Sequence, residues 1–96
     1  MKILLVEDDT ETAAYVIRGL RERGHAVDHA GTGKDGLRFA SHEPYDVMVV
    51  DRMLPELDGL AMVKAVRAAG VDTPTLFLTT MGGVDDRVEG LEAGAD

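Results

Sequence analysis

Two unbroken apolar runs, each ending in acid, most constrain what this chain can fold into. Val47-Met48-Val49-Val50 runs into Asp51, and Ile3-Leu4-Leu5-Val6 runs into Glu7, Asp8 and Asp9. Consecutive apolar residues leave no wet face, so each run reads as a strand covered on both sides in a parallel sheet. Aspartate is a poor strand former, which places Asp51 where its strand stops and a loop begins. In open α/β sheets that carboxyl edge is where ligands bind. Taken alone, Asp51 reads equally well as a turn former that merely closes a strand.

The rest of the chain alternates with these runs. From Thr10 to Arg23, Ala13, Val16, Ile17 and Leu20 recur at helical spacing; Gly24 stops the helix and Asp9 or Thr10 caps its start. His25 to Ala30 predicts a short strand nearer a sheet edge, followed by a turn at Gly31-Thr32-Gly33. Lys34 to Ser41 predicts a helix buried through Leu37 and Ala40, and His42-Glu43-Pro44 ends it. Asp58 is the candidate N-cap of a helix carrying Leu60, Val63 and Val66 and closed by Gly70. Pro74 to Thr80 predicts a fourth strand, ending in the hydroxyls of Thr79 and Thr80, and 85–92 a short last helix after a Gly82-Gly83 loop. The order βαβαβαβα, with helices too long for hairpins, gives an α/β fold with a doubly wound parallel sheet. Glu7, Asp8, Asp51 and Thr79 then share one carboxyl edge.

Ninety-six residues suit a single domain, and a net charge of −8 argues against this segment itself gripping nucleic acid or an anionic membrane. The absence of cysteine excludes disulfides, thiolate metal sites and cysteine nucleophiles. The opening apolar run stops at Glu7, too short for a signal peptide, so the chain is expected to be cytoplasmic. His25 and His29 share a strand face but lie too far apart for one metal. Gly31-Thr32-Gly33-Lys34 lacks the spacing and ending of a phosphate loop.

Crowded carboxylates repel, and protonation or a bound cation relieves them. An all-oxygen ligand set suits Mg²⁺, which takes one or two carboxylates together with water and phosphate oxygens. Beside such a metal, Asp51 can act as an oxygen nucleophile toward a phosphoryl group, with Thr79 donating its hydroxyl and the Thr80 backbone N–H a further donor. Two other readings stay open. One is a phosphohydrolase, although the position two residues after the nucleophile, where such enzymes generally need an acid/base carboxylate, is Met53. The other is an interaction module whose acidic edge binds a cation without chemistry.

Four stretches carry a family resemblance: Ile3-Leu4-Leu5-Val6-Glu7-Asp8-Asp9; Val49-Val50-Asp51-Arg52-Met53-Leu54-Pro55 with Asp58-Gly59; Leu78-Thr79-Thr80; and Asp86-Arg87-Val88 through Gly90 to Asp96. Through them the chain resembles the receiver domain of bacterial two-component response regulators of the OmpR/PhoB type, from end to end and in order. The resemblance implies a flavodoxin-like, CheY-like fold of strand order 2-1-3-4-5. It implies Asp51 as phosphoacceptor, Glu7 and Asp8 as the acid pair for Mg²⁺, the Met53 carbonyl as a further ligand and Thr79 as the switch hydroxyl. A sensor histidine kinase would be the phosphodonor, and a winged-helix domain outside these residues would bind DNA. Met53 and Met81 would line the path of attacking water, so self-dephosphorylation is expected to be slow and the chain not an enzyme. The family's fifth strand, with its lysine, and fifth helix have no counterpart in residues 1–96, and none of Lys2, Lys34 and Lys64 follows Thr79. The expectation is a C-terminally incomplete receiver that is either poorly stable alone or associates with itself through the side of the fourth strand and fourth helix. The alternative within it is a truncated, non-switching module that binds a cation.

Overall fold

A computed structural model describes residues 1–78 of the chain. Seven elements alternate: β1 Lys2–Val6, α1 Thr10–Glu22, β2 Ala26–Ala30, α2 Gly33–His42, β3 Val47–Asp51, α3 Gly59–Ala68 and β4 Thr75–Leu78. The strands form one parallel sheet in the order β2-β1-β3-β4. Its register sets Val6 beside both Ala30 and Val50, and Asp51 beside Leu78. Glu7, the residue after Val6, thereby arrives next to Asp51 without any loop having to carry it there. The expected α/β doubly wound architecture is the one observed; Thr79, Thr80, Met81 and the helix expected over 85–92 lie outside the described residues.

The two faces of the sheet are covered unequally. Leu4, Val6, Met48, Val50 and Phe77 pack against α2 and α3 through Ala40, Met62, Val63 and Val66, all buried. On the other face Ile3, Leu5 and Val27 pack against α1, which brings Ala13 with Val16, Ile17 and Leu20. Among the described residues α1 is the one helix on that face. Val47 and Val49 are consequently half-buried, and Leu76 of β4 is 52% exposed. Among the described residues, coverage on both sides is therefore complete for Ile3 to Val6 and only partial on the α1 side for β3, a correction to the reading of its continuous apolar run.

Local chemistry sets the element ends. Asp9, rather than Thr10, caps α1: its Oδ2 accepts from the Thr12 amide at 3.0 Å and from the Thr12 hydroxyl. Arg23 is the C-cap, and Gly24 follows in the left-handed region at φ +89°, where a β-carbon would be strained. The second strand starts at Ala26, leaving His25 before it, where its Nδ1 accepts from the Met1 amine at 3.2 Å. The second helix is longer than expected, because the Thr32 hydroxyl accepts from the Asp35 amide at 3.1 Å and draws Gly33 into the first turn. Its buried stripe is Gly33, Gly36 and Ala40, with Leu37 only half-buried. Gly36 lies against the Val6 side chain and the Met62 sulfur, so the small residue lets α2 approach both the sheet and α3. Asp58 caps α3, accepting from the Ala61 amide at 2.8 Å. No helix among the described residues is long and apolar enough to cross a membrane.

Candidate functional site

Each acid at the carboxyl edge arrives by a different local route. Glu7 extends β1 by one residue, its amide donating to the Ala30 carbonyl at 3.0 Å, which turns its side chain into the protein. Asp8 follows in the turn and is exposed, whereas Glu7 is fully buried and Asp51, the last residue of β3, is 4% exposed. Carboxylate oxygens of Glu7, Asp8 and Asp51 all lie within 4.8 Å of one another. Asp9, although adjacent in sequence, is occupied in capping α1, and its bonds to Thr12 hold its carboxyl below the usual range.

The acids are not equally provided for. Asp51 Oδ1 accepts from the Met53 amide at 3.0 Å, and Glu7 Oε2 accepts from the Asp9 amide at 3.2 Å. Glu7 Oε1 is buried with no hydrogen-bond partner. Burial, and then the neighbouring Asp51 carboxyl, push the Glu7 carboxyl up to about 7. A buried acid facing other acids, with one oxygen unsatisfied, carries a desolvation penalty that ordinary cores avoid.

The loop after Asp51 is pinned at both ends. The Arg52 amide donates to the Leu78 carbonyl at 3.1 Å, and the Gly59 amide returns to the Arg52 carbonyl at 3.2 Å. Leu54 is buried while Met53 stands 62% exposed, and Glu56 adopts φ +65°, uncommon for a non-glycine residue. A β-carbon at Gly59 would collide with the Asp51 backbone, and one at Gly33 with the Leu57 carbonyl, so both glycines are required for the loop to lie this close. A shallow cleft beside the acids is lined by Asp8, Arg52, Met53, Pro55, Asp58 and Leu60.

Of the residues expected at the site, Glu7, Asp8, Asp51 and Met53 gather at one point, while Thr79 and Thr80 lie outside the described residues. One neighbour was missed. His29 Nε2 donates to the Glu7 carbonyl at 2.8 Å, holding β2 to the turn that aims the acids. Reading it only as an edge residue overlooked that β2 ends level with β1, a consequence of register rather than of composition. Among the described residues, the three acids are the one group of His, Asp or Glu ligands close enough together for a metal ion. Their all-oxygen donor set and the unsatisfied Glu7 oxygen fit a hard divalent cation.

Comparison with known proteins agrees with this geometry. The family model of the response regulator receiver domain matches residues 3–96. The probable transcriptional regulatory protein SilR of Salmonella typhimurium is 46% identical over 96 residues, all of this chain and 42% of that protein. CusR of Escherichia coli K12, a transcriptional regulatory protein, is 43% identical with the same coverage, so the chain spans less than half the length of these relatives. Among solved structures, the receiver domain of the Francisella response regulator 1452 superposes with a TM-score of 0.89 at 33% identity, covering 99% of this chain and 78% of that one. The receiver domain of the sensor histidine kinase PA1611 from Pseudomonas aeruginosa, with magnesium coordinated in its active-site cleft, gives 0.86 at 33% identity, over 99% and 80% of the two chains. The sheet order, the acidic edge and these matches agree that the chain belongs to the response regulator receiver domains of two-component signal transduction.

Proposed function

We propose that Asp51 is the phosphoacceptor and that Glu7, Asp8, Asp51 and the Met53 carbonyl hold Mg²⁺ beside it. The observation that carries this reading is the buried, unpartnered Glu7 Oε1 set among two further carboxylates, an arrangement a cation would satisfy. When bound, Mg²⁺ offsets negative charge on the carboxylates and on the transferring phosphoryl oxygens. Asp51 supplies the nucleophile: an oxygen of its carboxylate forms the new O–P bond as the N–P bond to the donor histidine breaks, and the electron pair returns to the imidazole. The Met53 amide on Asp51 Oδ1 orients the carboxylate for that attack. The Thr79 hydroxyl and the Thr80 amide are the further donors to the phosphoryl group, by family position.

The phosphodonor is a sensor histidine kinase, and transfer is stoichiometric rather than turning over, so the domain, spanning residues 1–96, is a signalling module rather than an enzyme. SilR and CusR are transcriptional regulators, which supports a cytoplasmic regulatory role in which DNA is contacted only through an output domain. The exposed Leu76 on β4 favours self-association along the side of the fourth strand and fourth helix. A second reading, a cation-binding interaction module without phosphotransfer, draws on the same three acids. Acetyl phosphate with Mg²⁺, followed by intact mass and peptide mapping, separates the two. One phosphoryl group on Asp51, absent from Asp51→Asn, is the expected result; Mg²⁺ binding with no phosphoryl uptake would favour the interaction module.

A further inference from the structure

The five methionines of this chain include four in the described residues, and these fall into two classes. Met48 and Met62 are fully buried in the core, whereas Met1 and Met53 are 61% and 62% exposed. Met1 lies at the opposite end of β1 from the acids. Met53 borders the cleft that also carries Asp8 and Asp58, and its amide is fixed to Asp51 Oδ1 at 3.0 Å. An exposed thioether is open to two-electron oxidation, while a buried one is shielded until the fold opens. The surrounding carboxylates and the net charge of −8 repel anionic oxidants and leave neutral peroxides free to approach.

We propose that Met53 is a redox modification site, oxidised to the sulfoxide by hydrogen peroxide or another neutral hydroperoxide, and that the sulfoxide shortens the life of a phosphoryl group on Asp51. This rests on the reading of Asp51 as the phosphoacceptor. In the oxidation, the sulfur lone pair attacks one peroxide oxygen, the S–O bond forms as the O–O bond breaks, and after proton transfer the other oxygen leaves as water from hydrogen peroxide or as the alcohol from an organic hydroperoxide. Met53 loses two electrons and peroxide gains them. A thioether is a poor hydrogen-bond acceptor, so Met53 in its reduced form orients no water. A sulfoxide oxygen is a strong acceptor, carried here by the residue whose backbone is anchored to Asp51. Water held by it is held beside the acyl phosphate. The change is reversible by methionine sulfoxide reductases, which a regulatory modification requires.

The test treats the full chain with hydrogen peroxide, maps oxidation by peptide mass, then loads Asp51 from acetyl phosphate with Mg²⁺ and follows phosphoryl decay. Met53 should gain oxygen before Met48 and Met62, and the half-life should fall roughly threefold or more, a small part of what a well-placed polar group supplies. Methionine sulfoxide reductase should restore the half-life, and Met53→Leu should make it indifferent to peroxide. A half-life unchanged after Met53 oxidation, or shortened equally in Met53→Leu, would overturn the proposal while leaving Asp51 as phosphoacceptor. An untreated chain that takes up no phosphoryl group would overturn both.

Discussion

At the start of β1, Lys2 places its ammonium 2.6 Å from Glu43 and donates its amide to Asp46 at 2.6 Å; at the end of the same strand, Glu7 faces Asp8 and Asp51 and keeps one oxygen without a partner. Nearby at the first end, the Tyr45 hydroxyl donates to Asp28 at 2.7 Å and the Lys2 ammonium lies 5.2 Å from the centre of the Tyr45 ring. Opposite charges are thus paired where nothing but folding is at stake. At the other end like charges are brought together and two of them, Glu7 and Asp51, are buried. A fold consistent at every level except one place marks that place as functional. The exposed pairs around Lys2 are worth little individually, whereas the uncompensated acids at the far end dominate how the protein responds to cations and pH.

The contrast predicts a ranked set of effects. Removing charge at the acidic end should matter most: Asp51→Asn should abolish phosphoryl uptake, and Asp8→Asn should weaken Mg²⁺ binding roughly tenfold or more. Asp9→Asn should change Mg²⁺ affinity little, because Asp9 caps α1 and asparagine caps nearly as well. Equal losses in Asp8→Asn and Asp9→Asn, measured by Mg²⁺ titration, would break the distinction between metal ligand and cap. Next comes the loop that holds the acids. Gly59→Ala forces a methyl against the Asp51 backbone and should cost about 1–3 kcal/mol in denaturant unfolding as well as Mg²⁺ affinity. Gly31→Ala, where a β-carbon meets nothing, is the matched control and should leave Mg²⁺ affinity unchanged. Smallest is the paired end: Tyr45→Phe loses the hydrogen bond to Asp28 for about 1 kcal/mol of stability, with Mg²⁺ affinity unchanged.

Much of this was legible in the residues, for physical reasons that can be stated. Continuous apolar runs and caps act locally, so β1, β3, the Asp58 cap and the convergence of Glu7, Asp8 and Asp51 follow from spacing alone. What escaped depended on contacts between elements. Thr32 as a cap drew Gly33, which had read as part of a turn, into α2. Met62 and Gly36 meet across α2 and α3, and neither lies on the apolar stripe read for its own helix. The half-covered β3 depends on which helices lie over each face, and the role of His29 depends on the level at which β2 stops against β1. Likewise the burial of Glu7, as opposed to the exposure of Asp8, is a matter of which way a single turn points its side chains.

The most direct test of the acidic end is thermal stability of the full chain at pH 5 and pH 8, with EDTA and with saturating Mg²⁺. The Glu7 carboxyl is raised from its ordinary 4.5 to about 7 in the folded protein, so the fold binds this proton more tightly than the unfolded chain does. The corresponding stability is fully present below about pH 4.5 and is lost as the pH rises through about 7. In EDTA, Tm should therefore fall from pH 5 to pH 8 by several degrees, for a loss on the order of 2 kcal/mol. Mg²⁺ should recover most of that loss at pH 8, and Glu7→Gln should remove the pH dependence along with much of the Mg²⁺ response. A Tm that is the same at both pH values in EDTA and indifferent to Mg²⁺ would contradict the account, since acids that neither repel nor bind a cation could not serve as the site.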